Sequence, residues 1–371
     1  MIRYTLVFVA FALAGLAVRA AAAEPFRVLD ATPAGDLDAI FARQKGWVGA
    51  DGNYSVQIAP DRILWFYSDT WIGEIAGGRR ENCVLVNNSV GVQTGERGES
   101  RVEFFWGTTA AGKPAALFVP DDGHGWFWLF GGTFAGGRLH LLLWQMEKAS
   151  GPAAFAFRNV AVWHAEVTNP QDPPPQWRTT LRKLPFTELS PDRRVLFGSA
   201  VLSHDDQVYV YGVDERPLDK SFGRRMILAR VGTGEMATFD RWRFWSADGW
   251  ASDFRRVQPL AAGMATEYSV TRMAAWGKFV AVTSDVFLSP NIVARVAEEP
   301  WGPWSEPVPL YTCQEPTWSK SIFCYAGKAH ASLSSPGELV ISYAANSSDF
   351  GELFSNPRLY WPRFVRVKVS R

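Results

Sequence analysis

Apolar runs of strand length recur along this chain between clusters of turn residues, and helical periodicity is nearly absent. The one helical stretch predicted is short, Asp36 to Gln44. The apolar runs fall into a divergent internal repeat, in which a first strand and a turn lead into a very apolar second strand. The second strands read ILWFYSD (Ile63 to Asp69), WFWLFGG (Trp126 to Gly132), VYVYGVD (Val208 to Asp214), KFVAVTSD (Lys278 to Asp285) and ELVISYAAN (Glu338 to Asn346). The first strands of four units read YSVQI, SAVLS, YSVTR and ASLSS, and the weaker second unit has LFVP in that place.

The second strands are spaced roughly 60 to 80 residues apart, longer than a minimal four-stranded blade. Insertions such as Gln93 to Gly98 and the run Pro173-Pro174-Pro175 account for the excess. Runs such as WFWLF lack period-two alternation, as expected of strands covered on both faces. The pattern therefore predicts an all-β chain, a five-bladed β-propeller formed by residues 24–371 as one domain. A two-sheet sandwich is the alternative architecture.

Composition and the N-terminus refine this picture. Arg3, the apolar stretch Tyr4 to Val18 and the small residues Ala21-Ala22-Ala23 read as a signal peptide over residues 1–23. The apolar stretch is too short for a membrane span, no later one is longer, and no Cys follows to carry a lipid. A secreted or periplasmic protein without a membrane anchor is expected. Net charge is +1 with the signs interspersed, which argues against nucleic acid as partner. Aromatic residues make up 14% of the chain, offering both core wedges and platforms for sugar faces. The five histidines show no metal-ligand spacing, and no GxSxG, Walker or GxGxxG motif is present. Neither a metal nor another cofactor is expected. Cys313 and Cys324 are close enough in sequence to bridge in an oxidising compartment, leaving Cys83 as a thiol.

Candidate chemistry lies in the first unit. Asp51 precedes its first strand and Asp69 follows its second, so a hairpin brings both carboxylates to one end of the sheet. In a propeller, equivalent strand ends converge on a central channel. Glu267 before YSVTR and His330 at the start of HASL would join them there, His330 as a satisfied residue that orients a carboxylate. Asp214 and Asp285 read as turn or bulge residues. Asn87 and Asn88 lie in an apolar run where an unpartnered amide is costly, so one of them, Asn88, is expected to face the pocket. Trp71, Tyr268, Tyr325 and Asn346 complete the candidate substrate-binding set.

The block DGNYSVQIAPDRILWFYSDTWIG followed by NNSVGV resembles a bacterial secreted domain family of formerly unknown function that includes endo-D-arabinanases. GPWSEP (Gly302 to Pro307), YAGKAH (Tyr325 to His330) and ISYAANS (Ile341 to Ser347) carry the same resemblance. It spans about Gly46 to Val369, and the stretch from Gln93 to Arg243 contributes nothing to it. The resemblance implies a five-bladed propeller glycoside hydrolase whose catalytic pair falls on Asp51 and Asp69. The substrate is then a polysaccharide or oligosaccharide, D-arabinan or a related furanoside.

The residues independently suit that chemistry. Acetal hydrolysis without a metal needs one protonated carboxyl to donate to the leaving oxygen and one ionised carboxylate to attack or to activate water. Burial and like-charge proximity supply the asymmetry. Asp51 and Asp69 are the expected pair, with Glu267 as a third catalytic carboxylate, in a protein acting as a monomer. The alternative function is a non-catalytic carbohydrate-binding propeller, which would tolerate loss of either aspartate. A scaffold for protein partners is a third reading.

Overall fold

The computed structural model describes residues 26–95, 99–151, 156–216 and 223–370. The signal-peptide expectation over residues 1–23 lies outside them. Among the described residues the chain is all-β, with two short α-helices, Gly35–Phe41 and Phe350–Ser355. The first overlaps the segment the sequence predicted, Asp36 to Gln44, starting one residue before it. Among the described residues no helix is long and apolar enough to cross a membrane.

Most strands belong to five antiparallel meanders. The first runs Tyr54–Ala59, Arg62–Tyr67, Ser89–Thr94 and Arg101–Phe105. The second runs Trp126–Ala135, Arg138–Lys148, Phe157–Val167 and Thr179–Lys183. The third is built on Arg194–His204, Gln207–Glu215 and Arg224–Gly232 and is extended by short edge strands. The fourth runs Tyr268–Met273, Lys278–Ser284, Asn291–Ala297 and Val308–Thr312. The fifth joins Ile322–Ala329, Glu338–Ser347 and Pro362–Ser370 to the N-terminal strand Arg27–Pro33. A three-stranded sheet of Lys45–Ala50, Thr70–Ala76 and Arg79–Val86 flanks the first meander.

The leading strands touch in order. Trp126–Ala135 contacts both Tyr54–Ala59 and Arg194–His204, and Tyr268–Met273 contacts both Arg194–His204 and Ile322–Ala329. The fifth sheet returns to the first: Asn53 Nδ2 donates to Ser342 Oγ at 2.9 Å, and Ser55 Oγ meets His330 Nδ1 at 2.8 Å. Neighbouring sheets are also tied through aromatic hydroxyls, as when Tyr268 donates to the Gly212 carbonyl and Tyr211 to that of Pro300. The strands thus form successive meanders rather than the two stacked sheets of a sandwich.

The apolar second strands owe their lack of alternation to burial on both faces. In Arg62–Tyr67 every residue after Arg62 is buried. Two repeat assignments shift. WFWLFGG leads its meander instead of standing second, and LFVP forms no strand. In the fifth unit the leading strand is Ile322–Ala329, while ASLSS turns away after it. Cys313 and Cys324 are buried neighbours but remain free thiols, so the expected bridge is not formed. Asp214 sits inside Gln207–Glu215 rather than in a turn, fully buried against Arg193 at 3.1 Å.

Arg27–Pro33 closes the fifth sheet by pairing with Pro362–Ser370 from the opposite end of the sequence. Without it, the unpaired N–H and C=O groups of Pro362–Ser370 form an exposed edge. Deleting residues 1–33 should lower the melting temperature by about 5 °C or more relative to a chain starting at residue 24. An unchanged melting curve would contradict this role for the strand.

Candidate active site

One cavity of about 390 Å³ opens where the sheets converge, and Asp51, Asp69 and Glu267 all line it. The backbone sets the first two. Asp51 N donates to Asp69 O at 3.2 Å, and Ser68 N donates to Asp51 O at 3.1 Å. This places the two ends of the Tyr54–Tyr67 hairpin side by side. Gly52 (φ +85°) and Asn53 (φ 56°) then turn the chain through the left-handed region. A Cβ on Gly52 would come to 3.0 Å from Ser68 N, so glycine fits this approach.

Each carboxylate has its own surroundings. Asp51 Oδ2 accepts from the Tyr325 hydroxyl at 2.6 Å and the Tyr360 hydroxyl at 2.9 Å. Its Oδ1 is buried with no hydrogen-bond partner among the described residues. Asp69 Oδ1 accepts from Asn87 Nδ2 at 3.0 Å and Trp128 Nε1 at 2.9 Å. Glu267 Oε1 lies 3.3 Å from Lys328 Nζ, a buried ammonium that also donates to the carbonyls of Gly52 at 2.5 Å and Ala326 at 2.9 Å.

The electrostatics follow from this layout. Burial, then the charges of Asp69 and Glu267, push Asp51 well above the usual carboxylate range, against the two tyrosine hydrogen bonds. Burial raises Asp69 to about 6, with Trp128 and Asn87 opposing. Burial also raises Glu267, and Lys328 counters it. Lys328 itself is pulled down by burial and held up mainly by Glu267. Lys328 contacts only Glu267 of the three carboxyls among the described residues, so the site favours keeping a proton on one of the aspartates.

Local distortions aim these groups. A register shift between Tyr325 and Lys328, with Ala326 at φ 59°, lets Tyr325 reach Asp51 while Lys328 reaches Glu267. Tyr360 also adopts a positive φ of 66°, which is strained for a bulky residue. A Cβ on residue 49 would come to 2.5 Å from the Tyr360 carbonyl, so Gly49 permits that packing. Arg80 is buried and donates to the carbonyls of Val48, Leu353 and Leu359. It thereby fixes the helix Phe350–Ser355, part of the cavity wall, and burial pulls Arg80 down to about 10.

Of the sequence candidates, Asp51, Asp69, Glu267, Trp71, Tyr325 and Asn346 border the cavity. Trp71 stacks edge-on with Phe354 at 5.0 Å, and Asn346 Nδ2 donates to the Tyr325 hydroxyl at 3.2 Å. Three candidates lie elsewhere. Asn88 is fully buried and bonds Phe118 N, Phe118 O and Phe127 O, so it braces a loop, while its neighbour Asn87 holds Asp69. Tyr268 is spent on the Gly212 carbonyl in the sheet interior. Among the described residues His330 touches no carboxylate. It bridges Ser55 and Ser342, and burial holds it down at about 3, hence neutral. Sequence reasoning missed Tyr360, Lys328 and Trp128 as site residues. Lys328 carried a signal, a lysine within the apolar YAGKAH block; Tyr360 carried none.

The family described as a domain of unknown function, DUF5005, matches residues 35–369, and the chain belongs to it. No curated protein matches. Among solved structures, one described as "a putative hydrolase from Bacteroides ovatus" is similar with a TM-score of 0.71 at 18% identity, covering 91% of this chain and 90% of that one. At that identity the likeness is one of fold. A thermostable family-43 glycoside hydrolase superimposes with a TM-score of 0.47 at 13% identity, over 87% of this chain and 93% of its own. The catalytic domain of a Coprinopsis cinerea GH62 alpha-L-arabinofuranosidase gives 0.46 at 12%, over 88% and 92%. Likenesses that distant carry no argument here.

Asp69 titrates near 6 when folded but near 3.8 as a free side chain. The folded state therefore binds more protons between those values, and stability is lost as pH rises through that window. Asp69→Asn should melt higher than the parent at pH 7, by on the order of 1–3 kcal/mol. The advantage should shrink as pH falls from 6 toward 4. A difference independent of pH would contradict the raised value.

Proposed function

We propose that this protein is a five-bladed β-propeller glycoside hydrolase, with Asp51 and Asp69 as its catalytic pair and Glu267 as the third carboxylate. The observation that supports this most is the pair's asymmetry within one cavity. Asp51, flanked by two other carboxylates, is the member that keeps its proton, and Asp69, near 6, is ionised at neutral pH. In this reading the unpartnered Oδ1 of Asp51 protonates the glycosidic oxygen as its bond to the anomeric carbon breaks. Asp69 takes a proton from the attacking water or itself bonds that carbon, and the anomeric form of the released sugar distinguishes the two. Glu267, paired with Lys328, keeps negative charge beside Asp51 and so holds Asp51 protonated.

Trp71, Trp128, Phe130 and Phe323 line the cavity, and such aromatic surface suits the apolar patches of a sugar. The sequence resemblance points to D-arabinan or a related furanoside as the substrate, and the N-terminal pattern to a secreted or periplasmic monomer. The five meanders, with leading strands touching in turn, support the five-bladed reading.

Product release from a panel of bacterial polysaccharides led by D-arabinan and arabinogalactan tests the proposal. Asp51→Asn and Asp69→Asn should each lower turnover by about a hundredfold or more while leaving the fold intact. Sugar binding that survives both changes, with no release by the parent protein, would favour a carbohydrate-binding propeller instead.

A further inference from the structure

The cavity wall is not uniformly acidic. Arg158, Arg194 and Arg224 also line it. Arg158 is committed to Glu147, its Nε donating to Oε1 at 2.6 Å. The other two belong to a row across three neighbouring strands of the third sheet, with Arg194 opposite Glu215 and Glu215 opposite Arg224. Glu215 Oε1 engages Arg224 Nη2 at 3.1 Å, and Arg194 flanks Glu215 from the neighbouring strand.

Arg224 is the unusual member. Its side chain is only 14% exposed, and its Nε and Nη1 are buried with no hydrogen-bond acceptor among the described residues. Buried guanidinium donors without an acceptor are costly, and a native structure tolerates them best where a ligand supplies one. Burial pulls Arg224 below its usual range, opposed by the charge of Glu215 and reinforced by that of Arg194. An entering anion would relieve both penalties.

A further neighbour is aromatic. The Arg224 guanidinium lies 5.0 Å from the Phe287 ring centroid, and Phe287 lines the same cavity with 38% of its surface exposed. Phe287 sits between Val286 and Leu288, both at φ 59°. A β-branched residue in the left-handed region is an outlier, and such backbone concentrates where a side chain must be presented to a ligand.

We propose that Arg224 and Arg194, with Phe287, form a subsite for an oxyanion carried on the substrate sugar: a carboxylate as in a uronate residue, or a sulfate or phosphate ester. The proposal rests on the glycosidase reading and narrows its substrate. A neutral arabinan chain would leave the Arg224 donors unpaired. A glycan with anionic substituents would satisfy them, and the two charge regions of the cavity would fix its direction. The anionic group is repelled by Asp51, Asp69 and Glu267 and drawn to the guanidiniums, which sets which bond meets the catalytic pair. Guanidinium geometry suits a planar carboxylate or an ester oxyanion through paired N–H donors.

The test measures binding apart from turnover. Full-length Asp69→Asn protein is titrated with matched oligosaccharides on furanoside and pyranoside backbones. For each backbone the set holds a uronate form, its carboxyl-reduced neutral form, and sulfated and phosphorylated forms. At least one anionic member should bind about tenfold tighter than its neutral counterpart, and adding Arg224→Gln should erase that preference. Whether uronate or ester wins identifies the source of the oxyanion. If Arg224→Gln fails to fold, as judged by its melting curve, Arg194→Gln carries the same comparison. Equal binding of anionic and neutral members, no binding by any anionic member, or a preference that persists in the arginine variants would overturn the proposal. Anionic preference without turnover of any glycan by the parent protein would leave the subsite standing and remove the hydrolase. Turnover of neutral glycans unaffected by Arg224→Gln would do the reverse.

Discussion

Three half-buried carboxyls that line one cavity, with a single buried ammonium in contact with one of them among the described residues, are the constraint on which the rest of this site depends. Lys328 pairs with Glu267, and among the described residues neither Asp51 nor Asp69 has a cationic hydrogen-bond partner. Full ionisation would leave two carboxylates with no cation in hydrogen-bond contact among the described residues. Retaining a proton on Asp51 costs less than ionising all three, and this yields a proton donor beside a carboxylate without any metal. The tyrosines on Oδ2 of Asp51 fix its orientation while leaving Oδ1 without a partner.

That arrangement needs distant parts of the chain held to hydrogen-bond tolerance. Asp51 and Asp69 come from the first sheet, Glu267 from the start of the fourth, Tyr325 and Lys328 from the fifth, and Tyr360 from the approach to the last strand. The return of the fifth sheet onto the first, through Asn53–Ser342 and Ser55–His330, brings these groups together. His330 thus contributes to function as a neutral fastener between sheets. The same logic explains why strain gathers at Ala326 and Tyr360: both lie where the backbone departs from regular structure to present a side chain to Asp51 or Glu267.

The aspartate hairpin was legible because its information is local. A turn between two apolar strands fixes which ends meet, whatever the rest of the chain does. Glu267 was legible because YSVTR repeats the pattern of YSVQI, and the structure uses both as leading strands. Asn88, Tyr268 and His330 show where that reasoning stops. Strand position tells which end of a sheet a residue occupies but not whether its polar atoms are taken by a neighbouring carbonyl or hydroxyl. Tyr360 was invisible because its role depends on a left-handed backbone and on a glycine 311 positions earlier, Gly49. Trp128 was hidden by the phase of the second repeat: read as a second strand, WFWLF belongs in the interior, whereas as a leading strand it turns Trp128 toward the cavity.

The most direct test of this account is a carbon-13 NMR titration of the aspartate carboxyls, with the signals of Asp51 and Asp69 assigned by substitution. The account predicts that Asp69 titrates near pH 6 and that Asp51 titrates well above the free-side-chain value of 3.8. Both aspartates titrating near the free-side-chain value of 3.8 would contradict it, because the cavity would then hold ionised carboxylates with no proton to give.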